Sequence, residues 1–161
     1  MTAQPAKVKA VPEKYRTVTP HLVIRGAAKA LDFYKAAFGA QELGRVDAPG
    51  GLIGHAEMKI GDSVIMLADE FPGFERSPST LKGSSVTVHL YVENADELFA
   101  RAVKAGAAVV MPMNDAFWGD RYGHLTDPFG HVWSIATHMH DYTVEEMQAK
   151  MKEAMAKMGG Q

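Results

Sequence analysis

Short runs of alternating apolar and polar residues, interrupted by two stretches with helical spacing, organise the chain between Thr19 and His138. Alternation with a period of two marks a half-buried strand, and apolar residues recurring every three to four positions mark an amphipathic helix. One helix is predicted over Ala27–Phe38 and stops at Gly39. A second is predicted over Ala95–Ala105 and stops at Gly106, glycine being the usual helix-ending residue. Asn94, with Glu97 three residues on, is a capping-box-like start for the second. Three strand-like runs follow each helix. They are Gln41–Val46, Leu52–Ile60 and Ser63–Ala68 in the first set, and Ala107–Met113, Arg121–Thr126 and Val132–His138 in the second. Gly61-Asp62 and Asp127-Pro128-Phe129-Gly130 carry tight-turn chemistry between the last two runs of each set.

The pattern is a repeat. A shift of 68 residues lays Thr19-Pro20-His21-Leu22-Val23-Ile24 on Thr87-Val88-His89-Leu90-Tyr91-Val92. A shift of 69 lays Gly54-His55 on Gly123-His124 and Gly61 on Gly130, so one residue is inserted between the copies. The unit is β-α-β-β-β, twice, which predicts an α+β fold of two tandem βαβββ modules. Two longer loops break the pattern. Asp69–Ser85 joins the copies, and Asn114–Gly119 carries Phe117 and Trp118, as a lid or pocket wall would. A last helix is predicted from Thr143, with Glu146 completing a capping box. Its Met147, Met151 and Met155 recur every four residues, a face suited to covering the sheet or a partner subunit.

Alternation assigns faces. Leu22, Ile24, Ala56, Met58, Ile60, Val88, Leu90, Val92 and Leu125 take the helix side. His21, His55, Glu57, His89, Tyr91, His124 and Thr126 take the other. If the two units curl toward each other, four histidines at repeat-related positions (His21, His55, His89 and His124) line one hollow. Any single strand histidine is more often a hydrogen-bonded structural residue. His131 in a turn, and His138 and His140 before the last helix, read as surface residues, and Asp62 and Asp127 as turn formers.

With 161 residues the chain suits one domain: a polar tail over 1–16, the duplicated domain over 17–140 (modules about 17–70 and 85–140) and a C-terminal helix over 141–161. No cysteine is present, which removes disulfides, thiol nucleophiles and zinc–thiolate sites. The net charge of −2 gives no steering toward nucleic acid, and no apolar run is long enough to span a membrane. Met1–Arg16 lacks the apolar stretch of a secretory signal, and a cytoplasmic protein is expected.

Imidazoles and a carboxylate suit a divalent metal such as Zn, Ni, Mn or Fe(II), and His21, His89 and Glu57 are the candidate ligands. Without metal, Glu57 is a candidate general base, given burial that raises its pKa, with His55 as its partner. No phosphate loop and no Gly-x-Ser-x-Gly elbow occurs.

The stretches Thr19–Ile24, Ala30–Ala40, Trp118-Gly119-Asp120-Arg121-Tyr122-Gly123 and Asp127-Pro128-Phe129-Gly130-His131-Val132-Trp133 resemble the vicinal oxygen chelate superfamily of glyoxalases, bleomycin-resistance proteins and extradiol dioxygenases. More narrowly they resemble its phosphonate-locus-type branch. The resemblance covers about residues 17–140. It implies paired βαβββ modules forming a cupped mixed sheet, commonly as a homodimer, with metal ligands on the first and last strands of each module. On that pattern Met66 and Ser134 stand where glutamates are expected, and the first-strand ligand positions fall nearer Thr19 and Thr87. Two function classes follow. One is a protein that binds or sequesters a small, partly aromatic ligand in a cavity between modules, with His21, His55, His89, His124, Tyr91, Phe117, Trp118 and Tyr122 as contacts. The alternative is a metal-dependent lyase, isomerase or dioxygenase-type enzyme acting on a small oxygenated substrate through Glu57 and the histidines.

Overall fold

The computed structural model describes residues 8–158. The first module runs β1 (His21–Ile24), α1 (Ala27–Phe38), β2 (Gln41–Ala48), β3 (Leu52–Ile60) and β4 (Ser63–Asp69). A short helix α2 (Pro78–Leu81) interrupts the connection. The second module runs β5 (Thr87–Tyr91), α3 (Ala95–Ala105), β6 (Ala108–Asp115), β7 (Asp120–Thr126) and β8 (Val132–His138), and α4 (Val144–Met158) follows. Each module is a four-stranded mixed sheet, ordered β1-β4-β3-β2 and β5-β8-β7-β6. In each, the first strand pairs parallel with the last, because the helix returns the chain once and the three antiparallel strands after it end in the starting direction.

The alternation places side chains as expected. Leu22, Ile24, Ala56, Met58 and Leu125 are buried on the helix side, and Val88, Leu90 and Val92 pack against the same core. That core is shared between the modules, because α1 lies against α3. Phe38 of α1 meets the fully buried Trp133 of β8 with ring centroids 4.7 Å apart. Arg101 of α3 donates to the carbonyls of Ala36 (2.6 Å) and Lys35 (3.1 Å), satisfying the end of α1 where carbonyls lack helical partners.

Three local readings are corrected. Asp69, taken as the start of the connecting loop, ends β4 and is buried. Its Oδ1 accepts from the N–H groups of Gly26 and Ala27 at the start of α1, and its Oδ2 from Ile53 N–H, so it acts as that helix's cap from a distance. The connecting loop, to which no element was assigned, holds α2, where Ser77 accepts from Thr80 N–H and Glu70 accepts from Ser77 N–H and the Thr80 hydroxyl. His131 is buried rather than on the surface, with Nε2 3.1 Å from the carbonyl oxygen of Val23 in the other module.

Thr143 and Glu146 cap α4 reciprocally, but α4 buries none of its residues. Met151 and Met155 are 47% and 63% exposed, so the methionine face does not cover the sheet of its own chain. Among the described residues no helix is long and apolar enough to cross a membrane.

Candidate functional site

The polar faces of the two sheets carry the predicted side chains, but the modules use them differently. In the first, the rings of His21 and His55 meet edge-on at 6.1 Å, and His55 Nε2 lies 3.5 Å from Glu57 Oε1. Glu57 is occupied. Lys14 Nζ donates to its Oε2 at 2.5 Å, and the Tyr15 hydroxyl donates to its Oε1. Both donors come from the stretch read as a tail, whose residues 14 and 15 instead reach this sheet face. The hydrogen bond from Lys14, then that from Tyr15, holds the Glu57 carboxyl below its ordinary value of 4.5. A general base raised by burial was the expectation. These donors outweigh burial and leave a carboxylate already paired with a cation.

Strand register shows which positions correspond. Across β1, β4 and β3 the level residues are His21, Met66 and Glu57. Across β5, β8 and β7 they are His89, Ser134 and His124. Glu57 therefore matches His124, and the same register carries His55 to Tyr122. The matched Gly-His pairs of the sequence had paired His55 with His124. They could not reveal that Ile60 pairs with Ser63 across Gly61-Asp62, whereas Thr126 pairs with Val132 across the longer turn Asp127–His131. The register also sets His21 and His89, rather than Thr19 and Thr87, beside Met66 and Ser134.

In the second module the predicted ligand contacts form one continuous wall. Phe117 meets Trp118 at 5.0 Å, Trp118 meets Tyr122 at 5.1 Å, and the His89 ring lies nearly parallel to Tyr122 at 6.1 Å. Tyr91 sits 4.5 Å from His89, and His124 sits 6.5 Å from Tyr122. The residue that organises this wall, Asp120, was missed. It is 2% exposed and accepts from the Tyr91 hydroxyl (2.9 Å) and Trp118 Nε1 (2.9 Å) on one oxygen, and pairs with His138 Nδ1 (2.8 Å) on the other. Burial raises its pKa, but the hydrogen bonds from His138, Tyr91 and Trp118 together outweigh it, and the net value is lowered. The same contacts raise Tyr91 and His138. His138, read as a surface residue, is thus an anchor of the wall despite its exposed ring. Gly119 (φ +103°) makes the turn that presents Trp118, and a Cβ there would clash with the His140 carbonyl oxygen.

Two imidazoles complete the wall. His89 Nδ1 and the Ser134 hydroxyl share a 2.6 Å hydrogen bond, and burial lowers the ring's pKa, with Asp120 pulling the other way. His124 Nε2 is buried without a hydrogen-bond partner among the described residues. Between β1 and β5 lies a cleft of about 690 Å³, bordered by His21 from one module and His89 from the other. It unites two of the three candidate metal ligands. The third, Glu57, is held by Lys14 and Tyr15, and no three His, Asp or Glu side chains converge as metal ligands among the described residues. With a thioether at Met66 and a hydroxyl at Ser134 beside the first-strand imidazoles, this donor set does not fit a divalent metal.

The sequence profile of the glyoxalase/bleomycin resistance protein/dioxygenase superfamily matches residues 17–135. The chain belongs to this superfamily. Similar proteins come from bacteria and from a plant. The uncharacterized protein Rv0887c of Mycobacterium tuberculosis is 46% identical over 138 residues, covering 83% of this chain and 81% of its own. The crystal structure of TioX from Micromonospora sp. ML1 is similar at 28% identity and a TM-score of 0.60, covering 80% of this chain and all of that one. The X-ray structure of the Arabidopsis thaliana At5g48480 product is similar at 32% identity and a TM-score of 0.61, covering 76% of this chain and 98% of that one. Membership does not fix a ligand, whose identity rests on the chain's own side chains.

Proposed function

We propose that this superfamily member binds and sequesters a small, partly aromatic ligand against the Trp118–Tyr122–His89–Tyr91 wall, next to the cleft between the modules. The observation that carries this reading is the state of the wall's polar atoms. Trp118 Nε1 and the Tyr91 hydroxyl are already bound to Asp120, and His89 Nδ1 to Ser134. What the wall offers a ligand is therefore ring surface, which recognises another planar molecule by stacking and area burial. His124 Nε2 adds one unsatisfied polar atom to orient it. The engaged Glu57 and the absent last-strand carboxylates support binding over metal-assisted catalysis. The acting form in this reading is a homodimer, to which the open methionine face of α4 contributes.

Titration with a tricyclic aromatic such as acridine tests the site. Saturable quenching of Trp118 fluorescence is expected. Tyr122→Ala should weaken binding by about tenfold, one stacking contact being worth roughly 1 kcal/mol or slightly more. Unchanged affinity in both Tyr122→Ala and Trp118→Ala would remove the wall from the site.

A further inference from the structure

The duplication presents every structural place twice, and one pair of places is filled unequally. On one side the β7–β8 hairpin drives its side chains against the first module. Phe129 lies 6.2 Å from Phe33 and 6.4 Å from Tyr34, Trp133 lies 4.7 Å from Phe38, and His131 bonds the Val23 carbonyl. On the other side stands the β3–β4 hairpin. The register that matches His21 to His89 and Met66 to Ser134 puts Ser63 at the place of His131 and Ile65 at the place of Trp133. The shorter turn Gly61-Asp62 offers nothing in the place of Phe129.

The result is a cavity of about 670 Å³ between this hairpin, β5 and α3. Its walls include Phe38, Ile60, Ile65, Val88, Leu90 and Leu98. It borders Val88 through Val92 without a break, residues of both strand faces, which places it at the free edge of β5. It meets the aromatic wall only at the edge of β5, through His89 and Tyr91; Trp118 and Tyr122 lie outside its lining, and Val88, Leu90 and Val92 face the core on the helix side. Exposed Arg16 supplies a positive charge to the lining, and the lining's carboxylate, Asp62 of the turn, accepts from the Ser63 hydroxyl.

We infer that this cavity is a second ligand site, which takes a small planar aromatic anion in the place that Phe129 and Trp133 fill on the twin side. The volume lies in the range of small-molecule pockets. The ring packs between Phe38 and Leu98 as Trp133 packs on Phe38. The acidic group meets Arg16, and an edge group bonds the open side of β5 as His131 bonds β1.

The probe is 2-naphthoate, with neutral 2-naphthamide as its control, followed by amide chemical shifts of the full chain. Saturable one-site shifts are expected at Gly61–Ser63 and Val88–Val92. Ile65→Trp, which copies the twin side's own filler, should raise the Kd by about tenfold or more, equivalent to losing one good apolar contact. If Ile65→Trp lacks a native near-ultraviolet dichroism spectrum, Leu98→Trp on the helix side serves instead. Arg16→Gln should weaken naphthoate by roughly tenfold and naphthamide by less than about twofold. Trp118→Ala should leave both unchanged, which separates this site from the wall. Shifts centred on Trp118, Tyr122 and His124 would overturn the inference. So would shifts that never saturate, or an Ile65→Trp variant that alters self-association but not naphthoate binding.

Discussion

The hydroxyl of Tyr34 donates to Asp127 Oδ2 at 2.7 Å and joins helix α1 of the first module to the β7–β8 turn of the second. Trp133 Nε1 shares that oxygen at 2.9 Å, and Oδ1 accepts the N–H groups of Phe129 and His131. One buried carboxylate thus shapes its own turn and fastens the modules together. Burial first, and Asp127 second, raise the Tyr34 pKa well above 10.0, so the hydroxyl stays a donor at all ordinary pH. Asp127→Ala strands four donors, and a loss of at least about 3 kcal/mol is expected, since each buried unsatisfied group costs roughly 1–3 kcal/mol. Tyr34→Phe removes one of four, at a cost of about 1–3 kcal/mol for a bond to a charged group. Urea unfolding measures both, and near-wild-type stability in Asp127→Ala would contradict the role given to it.

The Asp120 anchor makes the wall sensitive to pH on two sides. The folded Asp120 pKa lies below 3.8, so its stabilisation is complete above that ordinary value and is lost as pH falls through the folded one. The folded His138 pKa lies above 6.5, raised by Asp120 and then Asp141, so its contribution is complete below 6.5 and is lost as pH rises through the folded value. Protection of the Trp118 indole N–H from hydrogen exchange, measured against free indole, is expected to be greatest from about pH 4 to about pH 6.5. In His138→Gln the fall at higher pH should disappear. Its persistence there would assign the effect to another group.

Gly119→Ala is expected to disturb the wall more than the fold. An added methyl clashes with the His140 carbonyl oxygen and sits on a left-handed backbone, so the Phe117–Trp118 turn must move. Strain of this kind costs about 1–3 kcal/mol. Thermal unfolding should show that loss, and acridine affinity should fall by a larger factor than in Arg101→Met. That second change removes the capping bonds to Ala36 and Lys35 far from the wall.

Helix α4 contributes nothing to the interior of its own chain, so its removal separates folding from assembly. Deletion of residues 143–161 should leave the dilute-solution melting temperature within about 2 °C, the scale of a few tenths of a kcal/mol in a chain of this size. Met151→Glu with Met155→Glu should shift the mass seen in sedimentation equilibrium toward the monomer, because two charges would be buried in an apolar contact. An unchanged mass in that double variant would separate α4 from any interface.

Most elements were legible because their limits are written in local chemistry. Helices α1 and α3 end at glycines, β3 begins and ends beside turn residues and β8 begins beside one, so periodicity located them to the residue. The edge strands β2 and β6 run two residues past their expected ends because ladder bonds to β3 and β7 extend them without an apolar pattern. Of the site, the ring-bearing residues of the second module were legible from alternation and from the aromatic loop. Asp69, Asp120 and Asp127 were not, since a carboxylate is recognised as buried only once its donors are known. The Tyr91 and His138 partners of Asp120 arrive from other strands. The capture of Glu57 by Lys14 and Tyr15 is likewise a contact across 42 and 43 residues, with no spacing rule to announce it.

The unequal lengths of the two hairpin turns give the twins different freedoms. The longer one, gripped at Asp127 and His131, is a keystone, and inserting residues there would unseat the joint between halves. The shorter one, Gly61-Asp62, is exposed and holds nothing in place. It is where lineages descended from this duplication can lengthen, shorten or decorate the chain, reshaping the neighbouring hollow while the architecture stands.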